Sequence, residues 1–225
     1  MKGKLIVIDG LDGSGKYTQF KLLSKRLEEE GYSASTFDFP QYDKPFGAMV
    51  GRYLKGEFGD IDQVEIEVAT MLYALDRYSV KQEIKKELVD GKIVVLNRYT
   101  PSNLGFQGAK FRGKERQKFL KWIDAMESRL PQPDLIIFLD VPRKFTRLLM
   151  GNKDLREYLD GKKEDIHEKN DPYQLEVEGL YRKLSEERKN WRRVDCVSAD
   201  SLLSIDEVHN KVWEVVEQHL NNHGE

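Results

Sequence analysis

The sequence is poor in cysteine, in long apolar runs and in net charge. Its one cysteine, Cys196, excludes a disulfide within the chain and lies in an apolar stretch, so we expect an inert core thiol in a reducing compartment. No apolar run approaches membrane-spanning length and no signal peptide precedes the first apolar segment, which predicts a cytoplasmic protein without a membrane partner. A net charge of −2 argues against a broad basic surface for a nucleic acid polymer.

What the sequence does contain is typical of a folded α/β protein. Hydrophobic residues make up 39% of the 225 positions and charged residues 34%, which is ordinary for a globular domain. No internal repeat, low-complexity tract or linker divides the chain. We therefore expect a single domain over residues 1–225.

The first strong pattern spans residues 4–18. An apolar run ends at Asp9, a glycine-rich turn follows over residues 10–16, and an amphipathic helix begins there. Glycines allow successive backbone N–H groups to point into one concavity, where the helix N-terminus adds positive charge and Lys16 reaches the outer phosphates. The pattern predicts a P-loop, and the alternative is a plain glycine-rich turn between a strand and a helix.

One position of this P-loop departs from the usual pattern. The residue after the lysine is normally a Ser or Thr whose hydroxyl binds Mg²⁺, whereas this chain has Tyr17 there and Thr18 one residue later. Three explanations stay open: Mg²⁺ is held mainly by phosphates and water, or the loop is shifted, or the site is weakened.

Apolar strands and amphipathic helices alternate along the rest of the chain. Strands are predicted at residues 5–8, 34–39, 93–96, 135–139 and 194–197. Helices are predicted at residues 16–30, 45–55, 114–129, 142–150, 171–191 and 204–219, with one long helix from Asp60 or Asp62 to residue 89, a helical or loop segment over 100–110, and a Ser204–Glu207 capping box. This alternation predicts an α/β fold with a parallel sheet covered by helices on both faces.

Candidate site residues follow the second and third strands. Phe39 closes the second strand and Arg98 follows the third, and ligands of open α/β sheets bind beyond the carboxyl ends of strands. Tyr73 and Arg77 are four residues apart and share one face of the long helix. Each has a plainer alternative, since Tyr73 also suits the core and Arg77 an ordinary surface ion pair.

Four motifs together resemble those of the thymidylate kinase (dTMP kinase) family. They are the P-loop, Phe39-Pro40, Tyr73-x-x-x-Arg77 and Asn97-Arg98-Tyr99, and the likeness runs from residue 4 to about 216. The resemblance implies a three-layer P-loop NTPase fold with a five-stranded parallel sheet, and transfer of the γ-phosphoryl group of ATP to dTMP to give dTDP. It also implies Mg²⁺ as a cofactor and a homodimer whose interface includes residues 64–75.

The resemblance also implies roles residue by residue. Tyr73 would stack on thymine and Arg77 would bind the edge of the base. Arg98 would clamp the dTMP phosphate, and Phe106 with Gln107 would line the deoxyribose. The residues implied to bind the ATP phosphates are Gly10, Leu11, Asp12, Gly13, Ser14, Gly15, Lys16, Tyr17 and Thr18. The residues implied to bind the acceptor nucleotide are Phe39, Tyr42, Tyr73, Arg77, Arg98, Ser102, Asn103, Phe106 and Gln107. The implied catalytic residues are Asp12, Lys16, Arg98 and Arg156, and the metal ligands stay unknown.

Residues 151–170 resemble the lid of this family. Mixed charge and few apolar residues also fit a solvated charged loop, which is the plainer alternative. Because residue 13 is glycine, the family pattern puts the catalytic cation in the lid, at Arg156 or Lys153. His167 is expected to be a solvated loop residue rather than a catalyst.

Four positions depart from the family pattern: Tyr17, Tyr42, Asn97 and Ile166. Tyr17 replaces the Mg²⁺-binding hydroxyl and Asn97 removes a charge near the metal, so we interpret them as parts of one altered Mg²⁺ environment. Three functions stay open: an active dTMP kinase, a kinase of another (deoxy)nucleoside monophosphate, and a catalytically weakened nucleotide-binding relative.

Overall fold

A five-stranded parallel sheet forms the centre of the computed structural model, which describes residues 3–60, 63–151 and 171–221. The strands lie in the order β2-β3-β1-β4-β5. They are β1 (Lys4–Gly10), β2 (Ala34–Asp38), β3 (Ile93–Asn97), β4 (Leu135–Asp140) and β5 (Trp191–Asp195). The helices among the described residues are α1 (Lys16–Glu29), α2 (Pro45–Leu54), α3 (Ile66–Ser79), α4 (Lys81–Val89), α5 (Thr100–Ser102, followed by a π turn and a 3₁₀ turn to Lys110), α6 (Gly113–Glu127), α7 (Arg143–Gly151), α8 (Asp171–Glu187) and α9 (Ile205–Asn221).

The central strand β1 shows why these strands are almost continuously apolar. Leu5 and Val7 pack on one side of the sheet and Ile6 and Ile8 on the other, and all four are fully buried. Helices α1 and α9 cover the second side, whereas α4, α6 and α8 contribute to the core on the first. The predicted three-layer arrangement with helices on both faces is therefore confirmed.

The long helix predicted between residue 60 or 62 and residue 89 is wrong in two respects. Helix α3 begins at Ile66, the backbone N–H of Asp60 donates to Gln63 Oε1, and the other predicted cap, Asp62, lies outside the described residues. The helical path then breaks at Val80, whose φ of −110° and ψ of 10° leave the α region. Ser79 Oγ donates to the carbonyl of Asp76 at 2.7 Å, a local bond that competes with helix continuation.

The end of the chain also differs from its predicted boundaries. Strand β5 begins at Trp191, which the helical prediction had included, because the buried Trp191 ring packs on the sheet. After β5 a small antiparallel hairpin of β6 (Val197–Ser198) and β7 (Ser201–Leu202) turns through two residues with positive φ. The predicted capping box of α9 is confirmed, since Ser204 Oγ accepts from the Glu207 N–H and Glu207 Oε2 accepts from the Ser204 N–H.

Strands β1, β3 and β4 end at one edge of the sheet, where the sequence analysis expected a ligand site. None of the helices in the described residues is long and apolar enough to cross a membrane.

Candidate active site

One cavity of about 550 Å³ opens at the carboxyl edge of the sheet, a size suited to a small-molecule ligand. We call its P-loop part the phosphate end and its part around Arg77 the arginine end. The cavity brings together these predicted residues: Asp12, Gly13, Ser14, Gly15, Lys16, Tyr17, Thr18, Phe39, Tyr42, Tyr73, Arg77, Arg98, Ser102, Asn103, Phe106 and Gln107. Gly10 and Leu11 lie behind its wall, and the predicted lid with Arg156, Lys153 and His167 lies outside the described residues apart from its first position.

Backbone geometry builds the phosphate end. Gly13 and Gly15 have φ values of 82° and 81°, which residues with a Cβ rarely adopt. A Cβ on Gly13 would also lie 2.7 Å from the carbonyl oxygen of Thr146 in α7. Helix α1 starts at Lys16 without a side-chain cap from the described residues, so its first N–H groups suit an anion.

Two side chains of the loop, like its backbone, favour an anionic ligand. Lys16 is buried and its Nζ donates to the Leu11 carbonyl at 2.5 Å, which holds the ammonium against the loop. The buried Ser14 Oγ has no hydrogen-bond partner within the described part of the chain. An anchored cation beside an unsatisfied hydroxyl fits the phosphates of a nucleotide.

Arg98 stands between the two ends of the cavity. Its φ of 61° is uncommon for a non-glycine residue, and its backbone N–H is fixed on Ile8 of β1. Its guanidinium pairs with Asp12 and lies 5.5 Å from the centre of the Phe106 ring. Burial opposes the charge, but the carboxylates of Asp12 and Asp9 raise the pKa of Arg98, which stays cationic.

A buried network around Asp9 supports Arg98 from behind. The Asp9 carboxylate is fully buried and accepts from Ser102 Oγ, from the Tyr181 hydroxyl at 2.8 Å and from the Gly10 N–H at 2.8 Å. Ser102 lines the cavity but its hydroxyl already donates to Asp9, so its contact with a base stays a prediction. Neither Asp9 nor Tyr181 was predicted as a site residue. Their hydrogen bond joins positions 172 residues apart in the sequence, which no local pattern indicates.

A buried ion pair forms the arginine end. Arg77 and Glu127 are both 2% exposed, and Arg77 Nη1 donates to Glu127 Oε1. Asn103 Nδ2 donates to the same oxygen at 3.2 Å, while Arg77 Nε has no partner among the residues that the structure describes. The alternative of a surface pair for Arg77 is therefore wrong, since its pair lies inside the protein. Burial raises the pKa of Glu127, which Arg77 opposes.

Aromatic rings complete this end. Phe39 is buried with its ring centre 5.7 Å from that of Tyr99, and Tyr73 meets Tyr53 edge to face at 6.3 Å. Tyr73 is only partly buried and lines the cavity, so it belongs to both the small core of α2 and α3 and the cavity wall. Tyr42 packs near Gly51 and reaches the same cavity.

Asp38 and Asn97 meet on the floor of the cavity. They lie opposite each other in the β2–β3 register, and Asn97 Nδ2 donates to Asp38 Oδ1 at 2.6 Å. Partial desolvation raises the pKa of Asp38, although the residue keeps exposed surface, and the Asn97 bond and the charges of Arg98, Lys21 and Lys16 oppose this rise. Asp38 was not predicted as a site residue, although it precedes Phe39 at the carboxyl end of β2; its bond with Asn97 follows from the register of two strands distant in sequence.

An apolar wall near the phosphate end was also missed. It follows strands β4 and β5 and consists of Val141, Leu149, Cys196, Leu202, Leu203, Ile205 and Val208. Burial raises the pKa of the Cys196 thiol to about 12, which supports the expected inert thiol. The predicted helices and capping box gave no signal that these apolar residues line a cavity, because only the packing of α7, α9 and the hairpin at the sheet edge brings them together.

Comparison with known proteins agrees with this geometry. The family model described as Thymidylate kinase matches residues 8–212. A probable thymidylate kinase of Pyrococcus abyssi is 33% identical over 223 residues, covering 98% of each chain. The thymidylate kinase of Schizosaccharomyces pombe is 29% identical over 96% of this chain and 92% of its own. A solved structure of thymidylate kinase from Candida albicans superimposes with a TM-score of 0.75 at 27% identity, covering 98% of this chain and 93% of that one.

Proposed function

The chain belongs to the thymidylate kinase family, and from this premise we propose that it transfers the γ-phosphoryl group of ATP to dTMP, giving dTDP. The observation that carries the proposal is a continuous cavity that joins a P-loop to a buried arginine pocket, with Arg98 between them. Such a cavity suits two nucleotides whose phosphates meet, as direct phosphoryl transfer requires.

In this proposal the donor nucleotide occupies the phosphate end. The N–H groups of the P-loop and the Lys16 ammonium bind its phosphates, and the adenine lies against the apolar wall. Mg²⁺, when bound with ATP, neutralises charge on the β- and γ-phosphates. Lys16 exchanges the Leu11 carbonyl for a phosphate oxygen.

The acceptor nucleotide occupies the arginine end. Arg98 exchanges its Asp12 partner for the dTMP phosphate, to which a planar guanidinium can donate two hydrogen bonds. Tyr73 stacks on the base, and Arg77, whose Nε has no hydrogen-bond partner within the described part of the chain, binds the base edge. Phe106 lines the deoxyribose. The reaction then needs positioning and charge neutralisation rather than a covalent intermediate, with Arg156 as the proposed additional cation.

A second acceptor is worth testing because the Candida albicans enzyme is described as having broad substrate specificity. An ADP-formation assay with ATP, Mg²⁺ and a panel of dTMP, dUMP, dCMP, UMP and dGMP separates dTMP from the other acceptors. We expect the highest kcat/KM with dTMP and no turnover without Mg²⁺. Absence of turnover by folded protein, together with calorimetric nucleotide binding, would identify a weakened relative, which Tyr17→Ser with Asn97→Asp should then reactivate in part.

We further propose that the protein is one domain, acts in the cytoplasm and forms a homodimer through α3. Three apolar side chains on α3 support the dimer, because Val68, Met71 and Leu75 are 44%, 41% and 42% exposed. Sedimentation equilibrium should give twice the chain mass for the unchanged protein and a monomer for Met71→Glu. A monomeric unchanged protein would contradict this proposal without affecting the kinase assay.

A further inference from the structure

A buried carboxylate lies beside Arg98 without pairing with it. Ile8 and Asn97 are register partners in the β1–β3 pair, and the backbone N–H of Arg98 donates to the Ile8 carbonyl at 2.9 Å, which puts Asp9 next to Arg98. The charge of Asp9 acts on the Arg98 guanidinium, yet among the described residues the ion pair of Arg98 is with Asp12. Because opposite charges attract strongly inside a protein, some feature of the structure must keep Arg98 from turning back onto Asp9.

That feature is a set of donors that already satisfy the Asp9 carboxylate. Its Oδ1 accepts from the Gly10 N–H and from the Tyr181 hydroxyl, each at 2.8 Å, and its Oδ2 accepts from Ser102 Oγ at 2.8 Å. Since Asp9 is fully buried, these donors take the place of solvent. Burial and the charge of Asp9 raise the pKa of Tyr181, so its phenol keeps the proton that it donates.

Packing fixes the direction of the Tyr181 hydroxyl. The Tyr181 ring is fully buried, stacks on Phe138 with ring centres 5.2 Å apart, and meets Phe106 edge to face at 6.1 Å. A Cβ on Gly105 would overlap the Tyr181 ring, so the backbone of the π turn lies directly against it. The ring has no room to turn its hydroxyl away from Asp9.

We propose that Tyr181 is a positioning residue: its hydroxyl satisfies the Asp9 carboxylate and so keeps the Arg98 guanidinium directed into the cavity, where it binds the acceptor phosphate. The proposal rests on the proposed function of the cavity. Without this hydroxyl, Asp9 Oδ1 has an open acceptor site beside the guanidinium, and a bond between them competes with the phosphate for Arg98. The rival role for Tyr181 is a core residue whose hydrogen bond only stabilises the fold.

The experiment compares the binding of dTMP with that of thymidine, which lacks the phosphate, by titration calorimetry without ATP. Tyr181→Phe keeps the ring, and it should lower the ratio of the Kd for thymidine to the Kd for dTMP about tenfold by weakening dTMP binding alone. The control Tyr173→Phe removes the other tyrosine hydroxyl of α8, which donates to the Phe106 carbonyl at 2.6 Å rather than to Asp9. This control should leave the ratio unchanged.

A double variant tests whether the charge of Asp9 causes the defect. Asp9→Asn removes that charge but keeps an oxygen that can accept from the Gly10 N–H. Asp9→Asn combined with Tyr181→Phe should therefore return the ratio to within about threefold of the unchanged protein. A ratio that stays low in the double variant would overturn the proposal.

An unchanged ratio in Tyr181→Phe would also overturn it, and an equal weakening of both ligands would indicate the structural role. If Tyr181→Phe does not fold, Ser102→Ala decides, because it removes the other side-chain donor to Asp9: a lower ratio supports the proposal and an unchanged ratio overturns it. Unchanged protein that binds dTMP without turnover would contradict the proposed kinase alone, whereas unchanged protein that does not bind dTMP would overturn both proposals.

Discussion

The two ends of the cavity are built from different parts of the polypeptide. At the phosphate end, main-chain N–H groups and glycines within residues 10–18 form the surface, and the contacts are local in sequence. At the arginine end, buried side chains bond across long separations, as Arg77 and Glu127 do over 50 residues. The first end therefore depends on a turn conformation, and the second on how separate helices pack.

The largest expected effect comes from the one side chain on which the phosphate end depends. Lys16→Ala should lower kcat about 10²–10³-fold, because it removes a cation that neutralises charge developing on the transferred group. The fold should persist, since the loop conformation is set by glycines and backbone bonds. Steady-state kinetics with saturating dTMP measures the effect.

The matched control is Lys25→Ala, which removes an exposed lysine from the same helix and, among the contacts between described residues, its pair with Glu29. Turnover by this variant should match the unchanged protein. Near-normal turnover by Lys16→Ala would show that the backbone alone carries phosphate binding, and the contrast between the two ends would then be stronger than we infer.

This contrast explains which parts were predictable from sequence. The P-loop is a fixed spacing of residue types, so its position followed from residues 4–18 alone. Helical spacing put Tyr73 and Arg77 on one face, but no local pattern could identify Glu127, which only the packing of α6 on α3 brings to Arg77. The bond of Asp38 with Asn97 was missed in the same way, since strand register rather than sequence proximity pairs them.

A smaller effect is expected at the arginine end. Glu127→Gln keeps the shape of the side chain and an acceptor oxygen but removes the charge that orients Arg77. We expect the KM for dTMP to rise about tenfold, or about 1.4 kcal/mol, with kcat and the KM for ATP changed by less than about threefold. Initial rates with varied dTMP and varied ATP measure this split.

Glu115→Gln on the same helix is the control, because that exposed residue pairs only with Lys118 among the contacts described. Burial raises the pKa of Glu127, so its carboxylate takes up a proton at a pH above the ordinary value of 4.5. The difference in the KM for dTMP between the unchanged protein and Glu127→Gln should therefore shrink as the pH falls through the raised pKa of Glu127. A loss in kcat with unchanged KM would contradict a role in acceptor binding.

The smallest expected effect tests whether a side-chain bond near the phosphate end matters for its ligand. Ser204→Ala removes the cap of α9, whose first turn lines the apolar wall at Ile205 and Val208. We expect the free energy of unfolding in urea to fall about 1 kcal/mol, the usual cost of a lost N-cap. The KM for ATP should stay within about twofold, because Gln19 Nε2 still holds the Ile205 carbonyl at 3.0 Å. Ser201→Ala, in the neighbouring hairpin, is the control. A rise in the KM for ATP would show that the phosphate end also relies on side-chain bonds, which would narrow the difference between the two ends.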